Sequence, residues 1–296
     1  MRNHIARPLA AVTAAGALTV LGLAAPVSAS LPASVARTAR PLTAYVANHF
    51  SGTVTPISTA TNTALKTIKV AFSTDGIAIT PNGKTAYVLN NSSNNMAAAT
   101  NVFPINTATN KVGKAINVKT VPTGIAITPN GKTAYVYSNG DDTVTAVSTT
   151  TSTVRKAINL GSPTSAIAIT PNGKTAYAAN YDSGTVTPIA TATNTTGKAI
   201  KVRKHPSAIA ITPDGKTAYV ANGYDTVTPI STTTNTTSKA IKVRKHPSAI
   251  AITPNGKTAY ATDNAADTVT PIATATNTAL KAIKVGSGPI AIAITP

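Results

Sequence analysis

Ile169-Thr-Pro-Asn-Gly-Lys-Thr-Ala-Tyr177 recurs almost letter for letter at Ile79–Tyr87, Ile127–Tyr135, Ile211–Tyr219 (with Asp214 in place of Asn) and Ile252–Tyr260. Thr43-Ala-Tyr-Val-Ala-Asn48 carries the second half of the same unit, so the tyrosines Tyr45, Tyr87, Tyr135, Tyr177, Tyr219 and Tyr260 stand 42, 48, 42, 42 and 41 residues apart. A period near 42 made of short β-type runs marks a propeller blade and not a helical repeat. The expected fold is therefore all-β.

One unit explains the others. Ala166-Ile-Ala-Ile-Thr170 is wholly apolar until its last residue, as a strand buried on both faces should be. Thr170-Pro-Asn-Gly173 fits a type I turn, with proline second and a glycine free to take the left-handed conformation that closes the hairpin with a bulge. Thr175–Asn180 is the returning strand. The polar loop 181–184 leads to a third strand, Thr185–Ile189, and the polar turn 191–197 leads to a fourth, Lys198–Val202, whose lysines suit an exposed outer edge. These strands are a, b, c and d, from the inside outward. Pro188 cannot donate a hydrogen bond to a ladder flanked on both sides. The same proline recurs at Pro56, Pro104, Pro229 and Pro271, with Ala146 replacing it once. A bulge, or a fourth strand that pairs with only part of the third, is expected there.

Strand b begins six times, and so does strand a if Ile290–Thr295 is counted. The chain thus opens with b-c-d of one blade and ends with that blade's missing strand a. Pairing Ile290–Thr295 with Thr43–Asn48 would close a ring of six four-stranded blades and remove the free edges. The alternative, a seven-bladed ring, would need one more repeat. Up-and-down strands also sort the loops. The a–b and c–d turns share one end, here called the bottom, and the b–c and d–a loops share the top. The bottom turns are monotonous and the top loops vary, and variable loops on a rigid scaffold are where function is expected.

Residues Met1–Ala29 read as a secretory signal, with Arg2 and Arg7 at its start, the apolar run Leu9–Ala25 and the small-x-small site Val27-Ser28-Ala29. Residues 30–42 form a lead-in, and 43–296 form the propeller domain. The expected location is extracellular or at the cell wall. With no cysteine there are no disulfides, thiol nucleophiles or thiolate metal sites. Eight Asp, no Glu and 24 Lys and Arg beyond the signal leave a charge of +16. Such a charge attracts polyanions at long range, although scattered lysines also serve solubility alone.

The strings Ala44-Tyr-Val-Ala-Asn48, Ala218-Tyr-Val-Ala-Asn222, the Thr-Val-Thr runs and the Ile-Ala-Ile-Thr-Pro-Asn/Asp-Gly-Lys hairpins resemble the YVTN-type β-propeller repeat of bacterial and archaeal surface proteins. The resemblance covers Thr43–Pro296 and implies a surface or secreted propeller. Two departures stand out. The third strand runs Pro-Ile-Ser at Pro56–Ser58 or Pro-Ile-Ala at Pro188–Ala190, where the family usually continues Val-Ile-Asp, and six units are present where seven are familiar.

The strongest candidate site is the pair of d–a loops Val202-Arg-Lys-His-Pro206 and Val243-Arg-Lys-His-Pro247. They place Arg203, Lys204, His205, Arg244, Lys245 and His246 on one sector of the top, suited to phosphate or carboxylate. The competing reading is duplication of a solvated loop. The aspartates Asp141, Asp142, Asp182, Asp225, Asp263 and Asp267 fall in b–c loops. Oxygen-rich loops suit Ca²⁺, but Asp among Asn, Gly and Ser also caps a turn by itself, and no metal site or cofactor is assigned. Asn94, Asn95 and Met96 lie in an insertion of the second blade's b–c loop, a contact site in that reading.

No catalytic residue is assigned. His49, His205 and His246 have no motif partner, and paired-carboxylate chemistry would have to draw on eight aspartates alone. The expectation is a non-enzymatic binding or scaffold propeller that contacts anionic cell-envelope polymers or an acidic protein surface through its top. Two alternatives are a lactonase- or lyase-type enzyme at the central funnel, and a nucleic-acid binder whose stacking residues at the top are few: His49, Phe50, Tyr181 and Tyr224.

Overall fold

A computed structural model of the protein describes residues 43–71, 73–90, 100–119, 121–138, 140–292 and 294. The signal at Met1–Ala29, the lead-in 30–42 and the insertion residues Asn94, Asn95 and Met96 lie outside the described residues.

The described residues form six antiparallel sheets. The fourth shows the plan. Thr164–Ile169 pairs with Thr175–Asn180, which pairs with Thr185–Ala190, in the register Ala168↔Tyr177↔Pro188. The a–b turn forms as its sequence dictates. The Gly173 N–H donates to the Thr170 carbonyl at 2.8 Å, and Gly173 takes φ +70°. The Asn172 carboxamide accepts from the Thr170 hydroxyl (2.8 Å) and from the Lys174 N–H (2.9 Å), which fixes the turn without outside help.

The proline in strand c divides the outer strand. Beside Thr185–Ala190, residues 195–196 pair with 189–190 and residues 200–201 pair with 185–186, and nothing pairs across Pro188. The proline still accepts a bond, from the Gly197 N–H at 2.8 Å, but it has no N–H to return. Pro56, Pro104, Pro229 and Pro271 divide their outer strands in the same way. The third blade is the natural control. Ala146 stands in the proline's place, and there Thr153–Asn159 runs unbroken, with a bulge between Ala146 and Val147.

Each blade packs its apolar side chains on the next. One cluster joins Tyr177, Val186 and Ile200 of the fourth blade to Ala218, Val220 and Ile230 of the fifth. Equivalent clusters join the first blade to the second and so on to the sixth, five junctions in all among the described residues. A belt of tyrosines reinforces them. Tyr177 Oη donates to Asn235 Oδ1 of the next blade at 2.7 Å, and Tyr45, Tyr135 and Tyr219 reach Asn110, Asn194 and Asn277 at 2.9, 2.6 and 2.6 Å. Each acceptor asparagine holds a positive φ, between 53° and 56°. Burial pushes the Tyr135 and Tyr219 phenols up to about 12.

The first and sixth blades differ from the rest. The first has strands b, c and d but no paired strand a among the described residues. Of Ile290–Thr295, the expected partner, the described residues carry no strand. The approach to it is in place, because Ser248 Oγ donates to the Pro289 carbonyl at 2.9 Å, just as Ser207 donates to that of Pro247 at 2.7 Å. Pro289 therefore occupies the position that starts the inner strand of a following blade.

Candidate binding surface

Hydrogen bonds confirm the sorting of loops. At the bottom the Thr191 N–H donates to the Lys174 carbonyl (3.0 Å), tying a c–d turn to an a–b turn. At the top the d–a loops are tied to the b–c loops on either side. His205 stands at φ 55°; its N–H donates to the Tyr181 carbonyl (3.2 Å) and its carbonyl accepts from the Gly223 N–H (2.8 Å). His246 repeats this at φ 54°, with its N–H on the Tyr224 carbonyl (2.7 Å) and its carbonyl accepting from Asn264 (3.0 Å). A left-handed backbone at a non-glycine residue is uncommon and is kept only where its surroundings fix it. Gly223 is required by the closeness of this arrangement, since a Cβ there would fall 2.8 Å from the His205 Cβ and 3.0 Å from its carbonyl oxygen.

These ties align four rings across three blades. Tyr181 and His205 have centroids 4.6 Å apart, His205 and Tyr224 5.9 Å in an edge arrangement, and Tyr224 and His246 6.4 Å. The two Arg-Lys-His triplets are thereby brought to one sector, with Tyr224 between their histidines. Arg203, Lys204, Arg244 and Lys245 are exposed on the same loops, and no ion pair holds any of them among the described residues. Tyr224 is 60% and Tyr181 43% exposed. The sequence marked both tyrosines as top-loop aromatics but gave no sign that they interleave with the histidines. The signal available was the shared position of the four loops on one face. His49 and Phe50 make a separate edge contact at 4.8 Å on the first blade.

The aspartates do different things. Asp141 accepts from the Thr143 N–H at 3.1 Å, and Asp267, at φ 54°, accepts from the Gly288 N–H at 2.8 Å; both serve the backbone. Asp182 and Asp225 lie on the loops that carry Tyr181 and Tyr224. No group of three or more His, Cys, Asp or Glu stands together among the described residues.

Asp263 corrects the expectation of a loop residue. It ends strand b of the sixth blade and is fully buried. Its position is that of Asn48, Asn90, Asn180 and Asn222, visible in the alignment of Thr258-Ala-Tyr-Ala-Thr-Asp263 with Thr217-Ala-Tyr-Val-Ala-Asn222. Where Asn180 Nδ2 donates to the hydroxyls of Thr185 and Thr187 (2.9 and 2.8 Å), Asp263 Oδ2 accepts from Thr268 and Thr270 (3.0 and 2.7 Å). Burial raises its pKa, offset in part by those two hydroxyls and by Arg244.

At the opposite end, a groove between the fifth and sixth blades is lined by the turn residues Asp214 and Asn255 and by Tyr219 of strand b. Asp214 is engaged in its own turn: the Thr212 hydroxyl and the Lys216 N–H bond it and hold its carboxyl below the usual range. The top therefore brings cations and exposed rings together, while the bottom uses its Asp and Asn side chains in the turns.

Six antiparallel repeat sheets of this kind make the fold a β-propeller. Solved structures agree. The chain resembles a Kuenenia stuttgartiensis hydrazine synthase structure with a TM-score of 0.68 and 21% identity, over 88% of this chain and 92% of that one. It also resembles a functionally unknown protein from Desulfotomaculum acetoxidans DSM 771, with a TM-score of 0.66 and 20% identity, over 82% of this chain and 83% of that one. At such identities the likeness is one of fold. No family model matches the chain, and no curated protein sequence matches it. No helix among the described residues is long and apolar enough to cross a membrane.

Proposed function

We propose that the protein is a secreted, non-enzymatic binding propeller of the YVTN type, which takes up anionic cell-envelope polymers or an acidic protein surface through its top loops. The observation that carries this is the meeting of Arg203, Lys204, Arg244 and Lys245 on one sector, exposed and without ion pairs among the described residues. Cations held on a rigid scaffold bind a polyanion with little ordering cost, and the overall charge of +16 beyond the signal draws it in. Export rests on Met1–Ala29. The test is a pull-down of the mature protein on cell-wall fractions across a salt series. Binding should weaken steeply with salt, because each neutralised anionic group releases a condensed counterion. Replacing Arg203, Lys204, Arg244 and Lys245 by Ser should flatten that dependence. Replacing the bottom lysines Lys84, Lys132, Lys174 and Lys216 removes the same charge and should matter far less. Equal losses from both sets would mean charge without a site.

The same proposal includes closure of the ring, with Ile290–Thr295 pairing on Thr43–Asn48 as the inner strand of the first blade. Its support is the Ser248–Pro289 bond together with two uncovered faces that match by repetition: the outgoing face of the sixth blade and the incoming face of the first.

A further inference from the structure

We infer that the polymer taken up by the top arc is a single-stranded nucleic acid, whose bases stack on Tyr181 and Tyr224 while Arg203, Lys204, Arg244 and Lys245 engage its phosphates. This rests on the basic top sector of the proposal above and assigns it a different polyanion. A polymer of phosphates alone, or an acidic protein surface, would use only the cations. The arc offers more than cations. Two tyrosines, 43% and 60% exposed, stand in line with His205 and His246, Tyr224 between the two basic triplets and Tyr181 beside the first. Exposed aromatic rings alternating with Arg and Lys are what a strand of charged backbone and flat bases requires, and every base has a face to stack. A duplex fits less well because its bases are already stacked on one another.

The arc is also held ready. Each histidine backbone is tied on both sides, to the Tyr181 carbonyl and Gly223 N–H at His205 and to the Tyr224 carbonyl and Asn264 N–H at His246. The loops carrying the rings and those carrying the cations are thus one bonded strip, not separate flexible arms, and a bound strand need order little of it. The strip spans the fourth, fifth and sixth blades, so successive nucleotides meet successive blades.

The test uses the mature full chain and fluorescence anisotropy of a labelled single-stranded oligothymidylate over a salt series. A duplex containing the same strand and inorganic polyphosphate serve as competitors. Tyr224→Ala should weaken oligothymidylate binding roughly tenfold while leaving the slope of log affinity against log salt unchanged, since a ring and not a cation is lost. Tyr224→Phe should bind like the parent, and Tyr181→Ala should fall in the same direction as Tyr224→Ala. Both tyrosines are exposed, and an unchanged far-UV circular dichroism spectrum checks that the variants fold. Polyphosphate and duplex should compete weakly, and Tyr224→Ala should leave their binding as it was. If Tyr181→Ala and Tyr224→Ala bind oligothymidylate like the parent, or if polyphosphate competes as well as the oligonucleotide, the nucleic-acid assignment falls and general polyanion binding stands. If none of the three ligands binds even at low salt, both fall.

Discussion

Between the fourth and fifth blades, Ile200 is 7% exposed and Tyr177 bonds Asn235 of the next blade. At the far end of the array the same repeat positions give Ile283 at 49% exposure, and Tyr260 makes no corresponding bond to Asn62 among the described residues. The incoming face shows the matching gap: Val46 is 42% exposed, while Val88, its equivalent in the second blade, is fully buried. Sequence at these positions is nearly constant, so the difference lies in the neighbour. A blade of this kind does not bury its own apolar face. Burial is conferred by whatever packs against it, and stability is approximately a sum over junctions.

The proposed ring closure would erase this contrast, and two experiments address it. Deleting Gly288–Pro296 should have the largest effect. If those residues supply the inner strand of the first blade, their loss exposes edges on two blades and should lower the melting temperature by more than about 5 °C. An unchanged melting curve would leave the sixth junction open. Second, Ile200→Ala should cost about 2–5 kcal/mol in a denaturant titration, the usual range for truncating a buried isoleucine. Closure makes Ile283→Ala cost the same order. A cost for Ile283→Ala below about 0.5 kcal/mol, as for an exposed position, would keep the two junctions distinct.

The third and smallest effect concerns Asp263. Its pKa is raised on folding, so the folded chain holds the proton more tightly than the unfolded chain. Stability is then greatest below the ordinary carboxylate pKa and falls as pH rises from there through the raised folded value. Asp263→Asn restores the residue found at Asn180 and Asn222. It should stabilise the protein at neutral pH by roughly 1 kcal/mol, the scale of one buried hydrogen bond, and remove that part of the pH dependence. Chemical denaturation at two pH values reads both. A variant less stable than the parent at neutral pH would show that the carboxylate is favoured where it lies.

The repeat, the second and third strands, the hairpin with Gly173 at positive φ and the division of loops between two ends could all be read from local pattern, because each is decided within a few residues. An irregularity opposite Pro188 was also legible, as a bulge or as partial pairing, since a missing N–H is a property of one residue type; the fourth strand expected at Lys198–Val202 is instead two short pairings at 195–196 and 200–201, and Ala146 shows the ladder restored when the N–H returns. What could not be read lies between blades. The tyrosine belt joins residues 58 to 65 positions apart, and nothing in either short segment names the other. Asp263 was misplaced for a related reason: its neighbours Asn264 and Asp267 look like a loop, while its burial comes from packing and not from composition. Of the candidate site, the basic triplets stood out as charge runs. The tyrosines that interleave with their histidines did not, because the d–a loops reach them only across the top.

The tyrosine–asparagine belt also bears on how such a chain changes length over generations. Residues 198–222 and 239–263 differ at only four positions, Asp214/Asn255, Val220/Ala261, Ala221/Thr262 and Asn222/Asp263. A copied unit arrives with its own tyrosine to offer the blade after it and its own asparagine to receive the blade before it. Slippage in the gene by one whole unit therefore creates no unmatched junction, and selection need not find a compensating change. The same event also copies an Arg-Lys-His loop. The chain can gain or lose a length of its basic strip in a single step, while its turns and core stay as they were.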